Sequence, residues 1–297
     1  MKRFLIRFFA TSLILGILAV AWAYFWPRLT DDKTLVAPAT FEAFYPSTGS
    51  SVQWEEVFGT ASDAFAAEYA LIGSGLDDPD SLVEQIGELS ALLAATRALA
   101  QSTDWDIPPF DQSQAIKTDF SKYRNYIRLV CTLPRAQHLG DYQAALTLSE
   151  TYLTRGKSTV DYMMAVAAIG LLHDAGSSSA VYVEEWREGL GRAIKSEYYF
   201  ARASPDLINL PFLFQGTKTW NKMWVYLSLI DESIQKDEIA TAHGRGEAIV
   251  TEWMRWPYSN LVGDLLLAMA VPPLTRLYEN SLELEQRILA PEPIELE

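Results

Sequence analysis

The sequence predicts an all-α protein: an N-terminal transmembrane helix followed by an irregular antiparallel array of helices. Three observations carry this. Apolar residues recur at helical spacing through most of the chain. Turn residues (Gly, Pro, Asp, Ser) fall between those stripes. No segment alternates β-branched and polar residues as a half-buried strand would.

The first 26 residues read MKRFLIRFFATSLILGILAVAWAYFW, with Lys2, Arg3 and Arg7 as their only charges. From Phe8 to Trp26 no residue is charged. At 1.5 Å per residue that run is about 28 Å long, near the ~30 Å hydrocarbon core of a bilayer. Tyr24, Phe25 and Trp26 close it with rings suited to the membrane interface, and the basic flank belongs on the cytoplasmic side. Residues 1–28 are therefore expected to be an anchor in the inner membrane, crossing it once, with the remainder periplasmic. A cleaved signal peptide is the open alternative, because AVA (19–21) and AWA (21–23) both fit a cleavage site.

Residues 29–50 read as a tether, with Phe41, Phe44 and Tyr45 available to pack on the domain; 51–290 form the exported helical domain and 291–297 a frayed tail. Helical spacing begins at Val52 and runs through Trp54, Val57, Phe58, Phe65 and Tyr69, with Gly59 a weak point. After the turn GSGLDDPDS, Asp80 or Ser81 can cap a helix striped by Leu82, Ile86, Leu89, Leu93, Thr96 and Leu99. Residues 102–114 are a proline-broken loop.

A helix is expected over Ala115–Leu139 despite Pro134, ended by Gly140. Asp141 would cap the next, in which Tyr142, Ala145, Leu146, Ser149, Tyr152 and Leu153 share a face and Arg155–Gly156 end the run. Further helices are expected over about 158–173, rich in small residues, and 179–200, with Val183, Trp186, Leu190 and Ile194 inward. Irregular chain follows to Thr217 or Thr219, which can cap a helix of about 218–236. A short helix to Trp256 and a last one over about Leu261–Leu289, broken at Pro272–Pro273, complete the order.

Gly140, Asp141, Tyr142, Ala145 and Leu146 resemble the turn and second helix of a tetratricopeptide-type hairpin. A 34-residue period does not recur, so an irregular array is expected rather than a solenoid. The order of single span, GDY hairpin, FLFQGTKTWNKMW and YSNLVGDLLLAMAVPPL also resembles a set of uncharacterised single-span bacterial envelope proteins. The prolines usual in that set's third and fourth blocks are absent. The resemblance implies architecture and no activity.

Composition narrows function. Three of the 24 basic residues precede the span, so the remainder carries 21 bases against all 38 acids. Such a polyanion, without a basic stripe, is not expected to bind nucleic acid. Cys131 is the only cysteine, which excludes an internal disulfide and any CxxC site, and it reads as a buried, inert thiol. His138 and His173 fall at expected helix C-termini, where the helix dipole favours a cation. His243 lies in TAHGRGE, which lacks the frame of a phosphate loop. No catalytic, cofactor-binding or metal-ligating residue is assigned. Glu232–Ser233 in DESIQ matches the pair found in peptidoglycan lyases, without the surrounding pattern. Trp220, Trp224, Trp253 and Trp256 form two helical pairs, read as core packing or as an aromatic groove.

The expectation is a membrane-anchored envelope protein, held by Phe8–Trp26, whose helical domain binds or scaffolds a protein partner. The alternative is a cell-wall-directed hydrolase or lyase with a carboxylate acid/base.

Overall fold

The computed structural model describes residues 2–30, 34–40, 49–59, 63–76, 78–107, 120–177, 183–203 and 214–236, with isolated positions beyond. Among them the chain is helical, and the only non-helical pairing is an isolated bridge between Ser50 and Trp105. Two compact units form, one from residues 1–39 and 201–275, the other from 40–200 and 276–297.

The first unit contains α1 (Lys2–Thr30) and α10 (Gly216–Lys236). The predicted transmembrane segment is a helix and continues past Pro27. Among the described residues, however, no helix is long and apolar enough to cross a membrane. The described side chains of α1 run only from Thr11 to Trp26. α10 buries Trp220, Met223, Leu227 and Ile230 as their spacing requires. The predicted start is corrected: the helix begins at Gly216, so Thr217 and Thr219 lie inside it, and Thr219 donates its hydroxyl back to the Gln215 carbonyl at 2.9 Å. Asn221 holds the segment after α1, accepting from Val36 N–H at 2.9 Å and donating to Thr34 O at 2.8 Å.

The second unit begins with α2 (Val52–Phe58) and α3 (Ala66–Gly75). They separate at Gly59, where a side chain would run into the Glu55 carbonyl and where Lys122 Nζ donates to the backbone oxygen at 2.7 Å. The single helix expected from Asp80 onward is three pieces: α4 (Pro79–Glu84), a 3₁₀ turn (Ile86–Leu89) and α5 (Ser90–Gln101). Its cap is Asp78 rather than Asp80 or Ser81, because Pro79 has no N–H to satisfy and fits the first helical position. Of the predicted stripe, Leu82, Leu89, Leu93, Thr96 and Leu99 are buried, as is Leu92, while Ile86 is half-buried.

Pro134 decides the next boundary. α6 (Ser121–Thr132) stops at Leu133, which is extended at φ −75°, ψ 146° as a residue before proline prefers. The predicted continuation to Leu139 is therefore wrong. α7 (Leu139–Arg155) starts earlier than expected, with His138 at its N-cap, so Gly140 lies inside the helix and Asp141 is its third residue rather than its cap. Three residues join α7 to α8 (Thr159–Asp174), and these two helices share the most extensive contact in the unit, so α8 doubles back along α7. Ala145, Ala165 and Ala168 are buried. α5 also packs on α7, and α6 on α8, giving a two-layer arrangement. α9 (Val183–Ala203) buries Trp186, Leu190 and Ile194, and its Gly189 lies against the Leu153 carbonyl.

An aromatic cluster fills the centre. Tyr123 and Tyr152 stack at 4.9 Å, Phe58 meets Tyr123 edge-on at 5.4 Å, and Trp54 lies 6.0 Å from Tyr152. The expected roles of Phe41, Phe44 and Tyr45, the loop 108–114, the 237–256 region, most of the helix over 261–289 and the 291–297 tail fall outside the described residues.

Candidate functional site

Polar groups inside the second unit act as locks. Ser158 caps α8, accepting from Asp161 N–H at 3.0 Å, while the Asp161 carboxylate accepts from Lys157 N–H at 3.0 Å. That is the reciprocal arrangement of a Ser-x-x-acid helix start. Lys157 is 3% exposed and Asp106 2%, and they pair at 3.0 Å. Lys157 Nζ also donates to Ile107 O at 2.8 Å, and Asp106 accepts from Ile107 N–H at 2.8 Å. Arg155 donates to Trp105 O at 3.2 Å. The 105–107 segment is thereby fixed on the α7–α8 turn. Burial raises the Asp161 carboxyl above the ordinary aspartate range against the pull of its hydrogen bonds, and burial likewise raises Glu197, which accepts from the Thr159 hydroxyl.

The start of α7 is a second lock. Buried Asp141 lies 3.2 Å from Arg97 Nη1 of α5 and 3.0 Å from His138 Nδ1. His138 sits at a helix N-terminus, not the C-terminus expected, whereas His173 does occupy the last turn of α8. Of the face predicted for α7, Tyr142, Ala145, Ser149, Tyr152 and Leu153 are buried and Leu146 is half-buried. The Tyr123 hydroxyl and Ser149 Oγ hydrogen-bond at 2.7 Å, and Ser149 donates on to Ala145 O at 2.7 Å.

Burial, then the charge of Asp174, pushes the Cys131 thiol up to about 11, which leaves it a poor nucleophile near neutral pH. Glu232 is exposed on α10 and ion-paired with Lys236. Among the described residues no group of three His, Cys, Asp or Glu side chains is placed to hold a metal ion. Trp220 is buried and Trp224 half-buried, while Trp253, Trp256 and His243 lie outside the described residues, so the aromatic groove cannot be assembled from them.

What the molecule offers outward is apolar surface. On α1, Leu13, Gly16, Ile17, Val20, Tyr24 and Phe25 line a shallow groove of about 560 Å³, and nothing lies within 4 Å of where a Gly16 side chain would be. On α8, Val160 is 43% exposed, Met163 53% and Leu171 43%, with Ala167 exposed between them. These four are three or four residues apart and form one stripe along the helix. The sequence shows α8 as apolar nearly all round, which hides the stripe; only burial of the opposite face reveals which residues remain outside.

No family model, curated protein or solved structure matches this chain.

Proposed function

We propose that this chain is a single-pass, membrane-anchored protein of the bacterial envelope whose exported helical domain serves as a protein-binding scaffold. The observation that carries the scaffold reading is the apolar stripe left uncovered on α8. A soluble helical domain normally turns such residues inward, and an exposed contiguous stripe marks a contact surface. The buried acids support a structural role, since Asp106 is paired with Lys157, Asp141 with Arg97 and His138, and Asp161 accepts from the Lys157 N–H.

The anchor is proposed for the whole of α1. The sixteen residues with described side chains, 11–26, rise only about 24 Å and fall short of a bilayer core. Phe8, Phe9 and Ala10 extend the uncharged run to about 28 Å within the same helix. Leu13, Ile14, Ile17 and Leu18 are exposed around it, as residues meant for lipid would be. The basic N-terminal flank favours a cytoplasmic N-terminus with the domain exported.

The test is affinity capture of the detergent-solubilised full-length protein, beside a Leu171→Glu variant. A co-purifying protein held by the wild type and lost from the variant supports the scaffold. A chain that elutes alone contradicts it.

A further inference from the structure

We infer that the outer face of the α6–α8 pair docks an amphipathic helix of a partner protein whose apolar stripe is flanked by acidic side chains. This rests on the scaffold reading above and names the surface and the chemistry of its occupant.

α6 and α8 pack side by side and run in the same direction. At one end Tyr123 of α6 stacks on Tyr152, just before the turn into α8. At the other, the Asp174 charge bears on Cys131, and the Arg135 guanidinium lies over Gly176 just past α8. Their solvent sides are therefore neighbours.

The two sides differ in chemistry. α8 contributes Val160, Met163, Ala167 and Leu171, all exposed. From Val160 to Leu171 the stripe extends about 17 Å, three turns of helix. α6 contributes Arg124 and Arg128, one turn apart, exposed, and in no ion pair with a described residue. Two unpaired arginines on one face run against the overall charge of a chain with 38 acids and 24 bases. An apolar row beside a basic row matches a helix with apolar residues three and four apart and Asp or Glu along one edge. The basic row also selects against a helix with Lys or Arg there, because like charges set against each other cost affinity.

The experiment uses the full chain in nanodiscs of zwitterionic lipid, with empty discs as blank. Two designed helical peptides share one leucine stripe and differ only in carrying Glu or Lys on the flank. Fluorescence anisotropy should show the Glu peptide bound at least about tenfold more tightly than the Lys peptide. Met163→Glu and Leu171→Glu should each weaken the Glu peptide about tenfold or more, and Arg124→Glu with Arg128→Glu should reverse the preference. All four positions are exposed, and unchanged far-UV circular dichroism melts confirm folding of each variant. Equal binding of both peptides, or Glu-peptide binding indifferent to all of these changes, overturns the inference. A photo-crosslinking residue at Met163, and another at exposed Gln143 on α7, separates this from the scaffold reading in cells. Adducts from position 163 that Leu171→Glu removes support the inference. Adducts from 143 alone overturn it and leave the scaffold standing, and protein adducts from neither position overturn both.

Discussion

Removing the carboxylate of Asp106 should destabilise the second unit more than any surface change. Asp106→Ala leaves the Lys157 ammonium, 3% exposed, with the Ile107 carbonyl at 2.8 Å and no carboxylate beside it. It also removes the acceptor for Ile107 N–H. Breaking a buried pair from one side typically costs about 3–5 kcal/mol, most of it the uncompensated charge left behind. Lys157→Met removes that charge, and its own cost is the loss of the ammonium beside the buried Asp106 carboxylate, which keeps its bond from Ile107 N–H. The double variant strands no charge, so it should be less destabilised than the sum of the singles by about 2 kcal/mol or more. The assay is urea unfolding of the detergent-solubilised chain, followed by far-UV circular dichroism. A cost below about 1 kcal/mol for Asp106→Ala, or simple additivity in the double variant, would show that the pair does not lock the 105–107 segment.

Other consequences follow from the same unit. Ala145 is fully buried on α7, so Ala145→Leu should cost about 1–3 kcal/mol by overpacking, read as a lowered urea midpoint. Asp141→Ala strands the Arg97 and His138 contacts at the start of α7 and should cost about 1–3 kcal/mol in the same assay. The raised carboxyl of Asp161 means that the folded protein binds more protons there than the unfolded chain. Its contribution to stability is full below the unfolded value of about 4 and is lost as pH rises through the folded one. Asp161→Asn keeps an oxygen acceptor without the titration, so its stability relative to wild type should rise as the pH is raised above about 4; an unchanging difference would refute this.

Helical class and most inward faces were legible because burial imposes a 3.6-residue period, as Leu93, Thr96 and Leu99 illustrate. Boundaries were less so. Pro134 ended α6 at Thr132, two residues before itself, and weighting the apolar pattern above that local rule produced the false extension to Leu139. The GDY segment then misled in turn: glycine and aspartate suit a turn, but Asp141 lies in the first turn of α7, held by a local contact to His138 and a tertiary one to Arg97. KSTVD carried a readable Ser-x-x-acid start for α8. The pairing of Lys157 with Asp106 carried no signal, because 51 residues separate them and each alone looks like a surface charge. The α8 stripe and the Arg124–Arg128 row required knowing which helices lie side by side.

The central claim is an anchored scaffold, and alkaline carbonate washing of membranes from cells expressing the full chain tests its anchor most directly. The uncharged run Phe8–Trp26 within α1 should keep the protein, with its N-terminal segment intact, in the membrane pellet. Recovery of a shortened form beginning at Trp22 or Tyr24 in the soluble fraction would contradict it.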